Sequence, residues 1–348
     1  MKGKQGMVCM GLLLVLSSCH TGKQITASGL QRKDFQTEVN GQHTDLFTLS
    51  NKQGMEVCIT NYGARVVSIL VPDRNGKRED VVCGFSTITE YMEQRQNFGS
   101  TVGRYIGRIL NARFTLDGVE YKLVPNNGKS GHISHGGNPG FADRMWKVEQ
   151  ADTHRVRLSY LSPDGENGFP GNLKVTLVYS LGEDDNALDL TYEATTDAPT
   201  VLNLSHHSFF NISGNFTKSV EDQQLWVDAD RFTPYDDKKC VTGEYLQVAG
   251  TPLDFRMPHA IGECIDADHP QLKVVNGYDH TWELNTKGDD TRPAAWVYDP
   301  ASGRKMEIFT TEPGMQIYTG NGLKGKMTGK GGIAYPFRSA VCFETMHF

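Results

Sequence analysis

The sequence predicts an all-β fold, a large antiparallel β-sandwich that forms one domain. Strand-like alternation of apolar and polar residues recurs through nearly the whole chain, and 37 glycines are available for turns. Helical patterns are scarce and do not alternate with the strands, so a parallel α/β sheet is not expected. The length of 348 residues suits this class, because single all-β domains extend beyond about 200 residues.

The first 18 residues are predicted to be a leader peptide rather than part of the fold. Lys2 and Lys4 precede an apolar run, GLLLVLSS, that is too short to span a bilayer. Small residues then lead into Cys19, which resembles the cleavage site of a bacterial lipoprotein signal and implies a mature chain that begins at an acylated Cys19. An ordinary secretory signal with an incidental cysteine is the alternative.

These features predict three segments. Residues 1–18 are the signal, residues 19–35 a polar tether, and residues 36–348 the β-sandwich domain. The lipid implies a location in the bacterial cell envelope, facing the periplasm, with membrane contact only through the anchor at Cys19.

The charge balance argues against nucleic acid as a partner. The chain carries 35 basic and 41 acidic residues. Removing residues 1–18 takes away two lysines and no acidic residue, which leaves 33 basic side chains and a net charge of −8. No run of lysine and arginine stands out, whereas nucleic-acid binding requires a basic patch.

The cysteines do not form a recognisable metal or disulfide motif. Cys9 lies in the leader and Cys19 is the lipidation site, and no two of the other five are closer than 24 residues. This odd and widely spaced set predicts neither a CxxC metal pair nor a disulfide scaffold. Most are expected to be small buried side chains: Cys58, Cys83, Cys240, Cys264 and Cys342.

The individual elements follow from the local patterns. RFTLDGVEYKLV (113–124) predicts a hairpin, because alternating apolar residues flank Asp117 and Gly118, a pair suited to a tight turn. A strand over 155–162 leads into a loop rich in glycine and proline, and 171–181 and 186–196 form two strands around an acidic turn.

Later in the chain, residues 305–321 offer two strands around Pro313 and Gly314. The best candidate for a helix is STITEYMEQRQNF (86–98). Strands thus dominate the predicted content.

Two motif-like strings are assigned to ordinary loops. Residues 320–326, GNGLKGK, have the spacing of a phosphate-binding loop, but the following residues do not open the helix that such a loop requires. His132 and His135 are three residues apart in a segment too rich in glycine for a helix, with no further ligands nearby in the sequence. No metal site is predicted.

Two adjacent histidines occur in a strand-like segment, NLSHHSFFN (203–211). Alternate strand residues face opposite sides of a sheet. His206 shares a side with Leu202 and Leu204, where a half-buried, hydrogen-bonded histidine is the ordinary interpretation. His207 shares the other side with polar residues and is the candidate functional group, unless a β-bulge exchanges the two faces.

A set of polar residues at strand ends and glycine turns remains to be explained. Each has an ordinary structural account, such as a surface ion pair or a turn cap. Glu344 shares a strand face with Cys342 and Met346, where a carboxylate is costly unless it has a partner or a function. The set is Arg108, His135, His207, Asp279, Gln316 and Glu344.

The sequence resembles the aldose 1-epimerase (galactose mutarotase) family over roughly residues 43–348. The resemblance implies the family's fold, a large β-sandwich with a sugar cleft on its concave face, known as the galactose mutarotase-like supersandwich. It rests on segments that occur in the family's order: VGRYIGRI, HGG, NLSHHSFFN, TPLDFR, GYDH, SGRKMEIFTTEPGMQIYTGN and CFETMHF.

The resemblance also implies an activity, the interconversion of α and β anomers of a hexose such as galactose or glucose, by acid/base ring opening and closure. It implies His207 as the general acid and Glu344 as the general base, with an acid and a base on opposite sides of C1. It further implies that the sugar is hydrogen-bonded by four residues: Arg108, His135, Asp279 and Gln316. The reaction needs no cofactor, and the protein is expected to be a monomer or a dimer.

Some positions depart from the family pattern. Gly107, His206 and Met346 stand where relatives more often carry asparagine, asparagine and glutamine. Relatives also continue past the residue that corresponds to Phe348, so a C-terminal strand is expected to be missing.

Two other functions are compatible with the sequence: a non-catalytic carbohydrate-binding β-sandwich and an epimerase for hexose phosphates. A pure binding module has no need for a matched histidine and glutamate. A phosphorylated substrate would require additional arginine or lysine around the cleft.

Overall fold

The structure, a computed structural model, describes residues 24–348. Short antiparallel strands account for most of its regular elements. The strands are β1 (Glu38–Val39), β2 (Gln42–His43), β3 (Leu46–Ser50), β4 (Glu56–Thr60), β5 (Arg65–Pro72), β6 (Arg78–Asp80), β7 (Ser100–Val102), β8 (Arg108–Ile109), β9 (Arg113–Leu116), β10 (Val119–Lys122), β11 (Ile133–Ser134), β12 (Lys147–Ala151), β13 (Arg155–Ser162), β14 (Leu173–Leu181), β15 (Leu188–Thr196), β16 (Ser205–His207), β17 (Phe209–Phe210), β18 (Gln224–Val227), β19 (Arg231–Thr233), β20 (Leu246–Gln247), β21 (His259–Ala260), β22 (Asp279–Glu283), β23 (Ala295–Tyr298), β24 (Lys305–Ile308), β25 (Gly314–Tyr318) and β26 (Val341–Met346).

Helices are few and short. The α-helices are α1 (Ile88–Gln94) and α2 (Pro270–Val275), and the 3₁₀ turns are Arg32–Phe35, Leu110–Ala112, Gly128–Ser130, Phe141–Asp143, Glu166–Gly168, Ile261–Glu263 and Lys330–Gly332. The predicted helix at 86–98 is confirmed as α1, which begins at a capping box formed by Thr87 and Glu90. Within residues 24–348, every helix falls short of the length and apolar character needed to cross a bilayer.

The predicted strands are confirmed. In the 113–124 hairpin, Leu116 pairs with Val119, and Asp117 and Gly118 between them both have positive φ, as a primed two-residue turn requires. β14 pairs with β15 along its whole length. The two strands predicted within 305–321 form as β24 and β25, but they belong to different sheets.

Four larger sheets build the molecule as two stacked pairs. The sheet β3-β4-β5-β6 and the sheet β12-β13-β14-β15 form the N-terminal pair. The six-stranded sheet β17-β26-β25-β22-β19-β20 and the sheet β21-β18-β23-β24 form the C-terminal pair. Each strand pairing within these four sheets is antiparallel, which agrees with the predicted sandwich class.

Each pair of sheets encloses its own apolar core. The N-terminal core contains Val57 and Ile59 of β4 against Leu158 of β13 and Val175 of β14. The C-terminal core packs the β19, β22, β25 and β26 side chains against those of β18 and β23. Phe210 touches both cores and so links the two halves. Burial of these side chains is the main stabilising contribution to the fold.

Residues 24–35, the described part of the predicted tether, pack on the N-terminal sheets. Leu30 and Phe35 are buried, and the backbone amide of Ala27 donates a hydrogen bond of 2.7 Å to Glu56 Oε1. Burial of the two apolar side chains favours docking over a free tether, so these residues belong with the domain rather than before it. The predicted signal peptide and Cys19 lie outside the described residues.

Candidate active site

A cleft of about 860 Å³ opens on the side of the six-stranded sheet that faces away from the C-terminal core. Its volume falls within the range typical of small-molecule sites. All six residues predicted from the sequence line it: Arg108, His135, His207, Asp279, Gln316 and Glu344.

Strand alternation places three of these residues on the floor of the cleft. On β25, Met315 and Ile317 point into the core, so Gln316 between them faces the cleft. Glu344 on β26 is directly opposite Gln316 in the strand register. Asp279 begins β22, the strand on the other side of β25. Three neighbouring strands therefore deliver an amide and two carboxyl groups to one surface.

His207 lies beside this floor because of a change of strand partner. β16, which ends at His207, pairs with β7, whereas the following β17 pairs with β26. The imidazole Nε2 is 3.3 Å from Glu344 Oε1. Its ring stacks on Phe209 with 5.0 Å between centroids. The histidine is held in one orientation directly next to the glutamate, so the two titratable groups lie side by side on the cleft surface.

His135 and Arg108 form the opposite wall. β8, which begins at Arg108, pairs with β11, and His135 follows β11 immediately. His135 has a φ of +51°, and its ring lies edge-on to His207 at 5.4 Å. A Cβ at Gly136 would lie 2.0 Å from the Gly103 carbonyl oxygen, so only glycine permits this close turn.

A hydrogen-bond network orients the polar groups of the floor. Gln316 Nε2 donates to Asp279 Oδ1 at 2.6 Å and to the Tyr235 hydroxyl at 3.0 Å. The Thr281 hydroxyl donates a hydrogen bond to the side-chain amide oxygen of Gln316, Oε1. Each side chain is thus held by its neighbours before any ligand binds, which favours recognition.

Arg108 supplies positive charge to the cleft. Its guanidinium lies over the Tyr235 ring at 5.7 Å, and its Nη2 is 4.0 Å from Asp279 Oδ2. Arg108 Nε is buried and has no hydrogen-bond partner among residues 24–348. Because Arg108 lines the cleft, its guanidinium offers N–H donors suited to a hydroxyl of a bound ligand.

Burial shifts the pKa values of Glu344 and His207 in opposite directions. Burial, reinforced by the charge of Asp279 and opposed by Arg108, raises the pKa of Glu344 well above its usual value. Burial also lowers the pKa of His207 to about 4. Both shifts favour the uncharged state of the pair, a protonated carboxyl group and a neutral imidazole. At 3.3 Å, a proton can pass between Glu344 Oε1 and His207 Nε2.

The other ionisable groups are tuned for hydrogen bonding. Burial, followed by the charges of His207 and Arg108, lowers the pKa of His135 to about 3, so this imidazole is neutral and both donates and accepts. Burial raises the pKa of Asp279, although Arg108 and Gln316 oppose the shift. His135 and Asp279 can therefore bind uncharged hydroxyl groups.

The two adjacent histidines separate as the parity of the strand predicts. His207 is 5% exposed and lines the cleft. His206 does not line it; its Nε2 forms a 2.6 Å hydrogen bond with Ser208 Oγ, and its ring contacts Tyr179. The side of the strand that carries Ser205 and His207 is more deeply buried than the side that carries His206.

The sequence prediction missed Tyr235, Thr281 and Tyr318. Tyr235 contacts both Gln316 and Arg108, and all three line the cleft. Thr281 and Tyr318 share the strand faces of Asp279 and Gln316 respectively, so the alternation used for His207 would have found them. Tyr235 follows a short strand in an irregular segment, where no periodicity identifies it.

Two family departures meet at one edge of the cleft. Gly107 and Met346 both line it, and a Cβ at Gly107 would lie 3.4 Å from the Met346 methyl group. An apolar thioether thus lies next to Gly107 at this edge of the cleft.

The histidines considered for a metal in the sequence do not lie together as a ligand set. His132 is buried and its Nδ1 accepts a 3.0 Å hydrogen bond from the Asn111 amide, which is a structural role. Among residues 24–348, the group with metal-ligand proximity is instead His207, Cys342 and Glu344. The five cysteines in this part of the chain are unpaired, and all but Cys264 are buried.

Comparison with known proteins shows the family to which the chain is similar. A family model described as aldose 1-epimerase matches residues 45–348. The chain is 40% identical to galactose mutarotase of Bos taurus over 86% of its length and 84% of that protein. It is 36% identical to aldose 1-epimerase of Escherichia coli over 82% of its length and 81% of that protein.

Solved structures show the same fold. An aldose epimerase homologue from C. elegans superposes with a TM-score of 0.79 at 30% identity, covering 87% of this chain and 89% of that one. Galactose 1-epimerase from Lactobacillus acidophilus gives a TM-score of 0.78 at 29% identity, with coverages of 89% and 88%. The sequence, the β-sandwich and the match over 45–348 lead to one conclusion: the chain belongs to the aldose 1-epimerase family.

Proposed function

We propose that the cleft interconverts the α and β anomers of a hexose, galactose or glucose, with Glu344 as general base and His207 as general acid. The observation that carries the proposal is the 3.3 Å approach of His207 Nε2 to Glu344 Oε1 on a cleft floor lined with hydroxyl-binding groups. O1 and O5 of a pyranose are bonded to the same carbon, so a side-by-side acid and base can reach both.

The reaction moves one proton each way. In the reactive form, Glu344 is ionised and His207 carries the proton. Glu344 takes the proton from O1, the C1–O5 bond breaks, and His207 protonates O5. The enzyme now holds a protonated carboxyl and a neutral imidazole, which is the form that burial favours. Rotation about C1–C2 and closure with reversed proton transfers give the other anomer.

The remaining side chains hold the sugar while the ring opens. Arg108 and His135 offer donors from one wall, and Asp279 and Gln316 offer acceptors and donors from the floor. Fixed contacts to the other hydroxyls keep C1 over the catalytic pair, and such positioning supports catalysis.

A specific observation also supports a phosphorylated hexose as a second candidate substrate. Arg113, Lys239 and Lys324 line the mouth of the cleft, and cationic side chains there are what such a substrate requires. Arg113, however, is 3.8 Å from Glu120, which partly satisfies it. We expect a higher kcat/KM for α-glucose than for α-glucose 6-phosphate; the reverse order would favour this second candidate.

The cellular setting is proposed from the sequence alone. The LSSC run that ends at Cys19 supports export, acylation and a position on the periplasmic side of the bacterial envelope. The same reasoning makes the lipid the only membrane contact. We further propose a monomer or dimer as the working unit.

Polarimetry with freshly dissolved α-galactose and α-glucose tests the function. The wild-type protein is expected to accelerate the approach of optical rotation to equilibrium for at least one of them. Glu344→Gln keeps the shape of the side chain but removes the base, so the rate should fall by about 10²–10⁴-fold. Sugar affinity, measured by calorimetry, should change far less because the hydroxyl-binding residues remain.

Two results would contradict the proposal. Sugar binding without acceleration by the wild type would indicate a binding module. Near-wild-type rates in Glu344→Gln would show that another group is the base.

A further inference from the structure

Cys342 brings a thiol next to the proposed catalytic pair. It lies two residues before Glu344 on the same side of β26 and is fully buried. Ligand atoms of His207, Cys342 and Glu344 all lie within 4.8 Å of one another. The proposed reaction makes no use of this thiol.

The spacing is close to that of a zinc site. Zinc bonds of about 2.0–2.3 Å to nitrogen, oxygen and sulfur place tetrahedral ligands roughly 3.3–3.6 Å apart. The imidazole nitrogen and the carboxylate oxygen already have this separation, at 3.3 Å. From a separation of at most 4.8 Å, the thiol has to approach by no more than about 1.5 Å to complete three tetrahedral positions. Because His207 and Glu344 line the cleft, the fourth position opens to solvent.

We propose that His207, Cys342 and Glu344 form an inhibitory site for a thiophilic divalent cation, with Zn²⁺ as the reference ion. Mixed nitrogen, sulfur and oxygen ligands select such ions, whereas Mg²⁺ and Ca²⁺ prefer oxygen alone. Binding of the ion is independent of the proposed function, while the inhibition rests on it.

The binding step balances in protons and involves no redox change. Zn²⁺ forms bonds to the imidazole nitrogen, the carboxylate oxygen and the sulfur. The thiol proton, and each proton that His207 Nε2 or Glu344 holds before the ion binds, pass to solvent. Burial, reinforced by the charge of Glu344, raises the pKa of Cys342 well above its usual value, so the thiol is protonated until the ion binds. Once both catalytic groups are ligands, neither can transfer a proton to or from the sugar.

Inhibition of mutarotation by Zn²⁺ tests the site, with Cys342→Ala as the diagnostic variant. Cys83→Ala is the matched control, because Cys83 is equally buried in the same core cluster and lies outside the ligand group. Loss of an outer partner of a metal ligand costs 10–100-fold in affinity, so loss of a direct ligand should raise the Zn²⁺ inhibition constant by at least about tenfold. Cys83→Ala should keep the wild-type constant, and Mg²⁺ should not inhibit any of the three proteins.

Cd²⁺ titration measures binding without activity. The ultraviolet charge-transfer band of a cadmium–thiolate bond should appear in the wild type and in Cys83→Ala and be reduced in Cys342→Ala. Cys342→Ser, which is nearly isosteric, replaces the alanine variant if the latter does not fold. An unchanged inhibition constant together with an unchanged band on loss of the thiol would overturn the site. If the protein shows no mutarotase activity, the proposed function fails while the band still decides whether the ion binds.

Discussion

At the scale of single residues, alternation along a strand was enough to separate two neighbouring histidines. His207 faces the cleft and Glu344, while His206 bonds Ser208 on the other side. Whether a residue is at an odd or even position identifies its side of the strand, but it does not identify the residues that this side contacts in the folded protein. The 3.3 Å contact joins residues 137 positions apart in the sequence, and only the resemblance to a known family predicted that they act together.

Substitution of each histidine should show this difference. His207→Asn is expected to lower mutarotation by about 10²–10⁴-fold, because it removes the proton donor. His206→Asn is the matched control one residue away and should keep most of the activity, since its ring does not line the cleft. Initial rates by polarimetry measure both. Equal losses in the two variants would show that the two faces have been assigned wrongly.

The pH profile should report the pair rather than either residue. In the proposed reaction, the active form is the one in which His207 and Glu344 share one proton. The lowered His207 pKa means that a second proton is taken up only as the pH falls through about 4. The raised Glu344 pKa means that the last proton is retained to higher pH than in a free carboxyl group. We therefore expect kcat/KM to decline as the pH falls through about 4, and to decline again as the pH rises through the raised pKa of Glu344.

The measurement is kcat/KM by polarimetry across this range in a constant-ionic-strength buffer. A single inflection at the ordinary histidine pKa of about 6.5 would contradict the shared-proton interpretation.

At the scale of secondary structure, the strand carrying Glu344 is an interior strand. β26 pairs with β25 on one side and with β17 on the other. Strand ends fray unless they are held by neighbours; here the β17 contact holds Val341 and Cys342, and β25 holds Glu344 opposite Gln316. Hairpins such as 113–124 were predictable because their turn residues are local. The change of pairing partner, from β7 for β16 to β26 for β17, was not predictable, since no residue pattern marks it.

Asn203 extends this support beyond the strand. Its side chain donates to the His347 carbonyl and accepts from the His347 amide, each at 3.0 Å. Asn203→Ala should cost about 1–3 kcal/mol in the free energy of unfolding, because two hydrogen bonds of about 0.5–1.5 kcal/mol each are lost. Turnover should also fall, since Glu344 lies three residues before the released position. Thermal unfolding and initial rates measure the two effects.

Asn172→Ala provides the control, because it breaks a side-chain hydrogen bond to Asp197 away from the cleft. It should leave kcat unchanged. If Asn203→Ala also leaves kcat unchanged, the contact stabilises the fold without positioning the base.

At the scale of the whole molecule, the sandwich class was predictable but its division into two sheet pairs was not. Alternation shows that a strand has a buried side, and it does not show which other sheet covers that side. The start of the domain, predicted at residue 36, was also difficult to place from the sequence. Leu30 and Phe35 are buried against the N-terminal sheets. They lie in a short polar segment without periodicity, so the sequence pattern could not predict this burial.

The proposed lipid anchor is testable in cells. Cys19→Ser removes the acylation site, so the protein should move from the membrane fraction to the soluble fraction. Metabolic labelling with a fatty acid measures the modification directly on the wild type. Cys58→Ser, at a buried cysteine within the domain, should leave fractionation unchanged. A wild-type protein that carries no label and is already soluble would exclude the anchor.

The six-stranded sheet keeps two sets of positions apart along the same strands. On β25 and β26, Met315, Ile317 and Phe343 pack in the C-terminal core. Gln316 and Glu344, at the alternate positions, face the cleft. Substitutions in the first set should change the melting temperature with little effect on which sugar is accepted, and substitutions in the second should do the opposite. Such a sheet can acquire a new specificity by changes at alternate residues without rebuilding its interior. One scaffold of this kind can therefore diversify by small, separable steps.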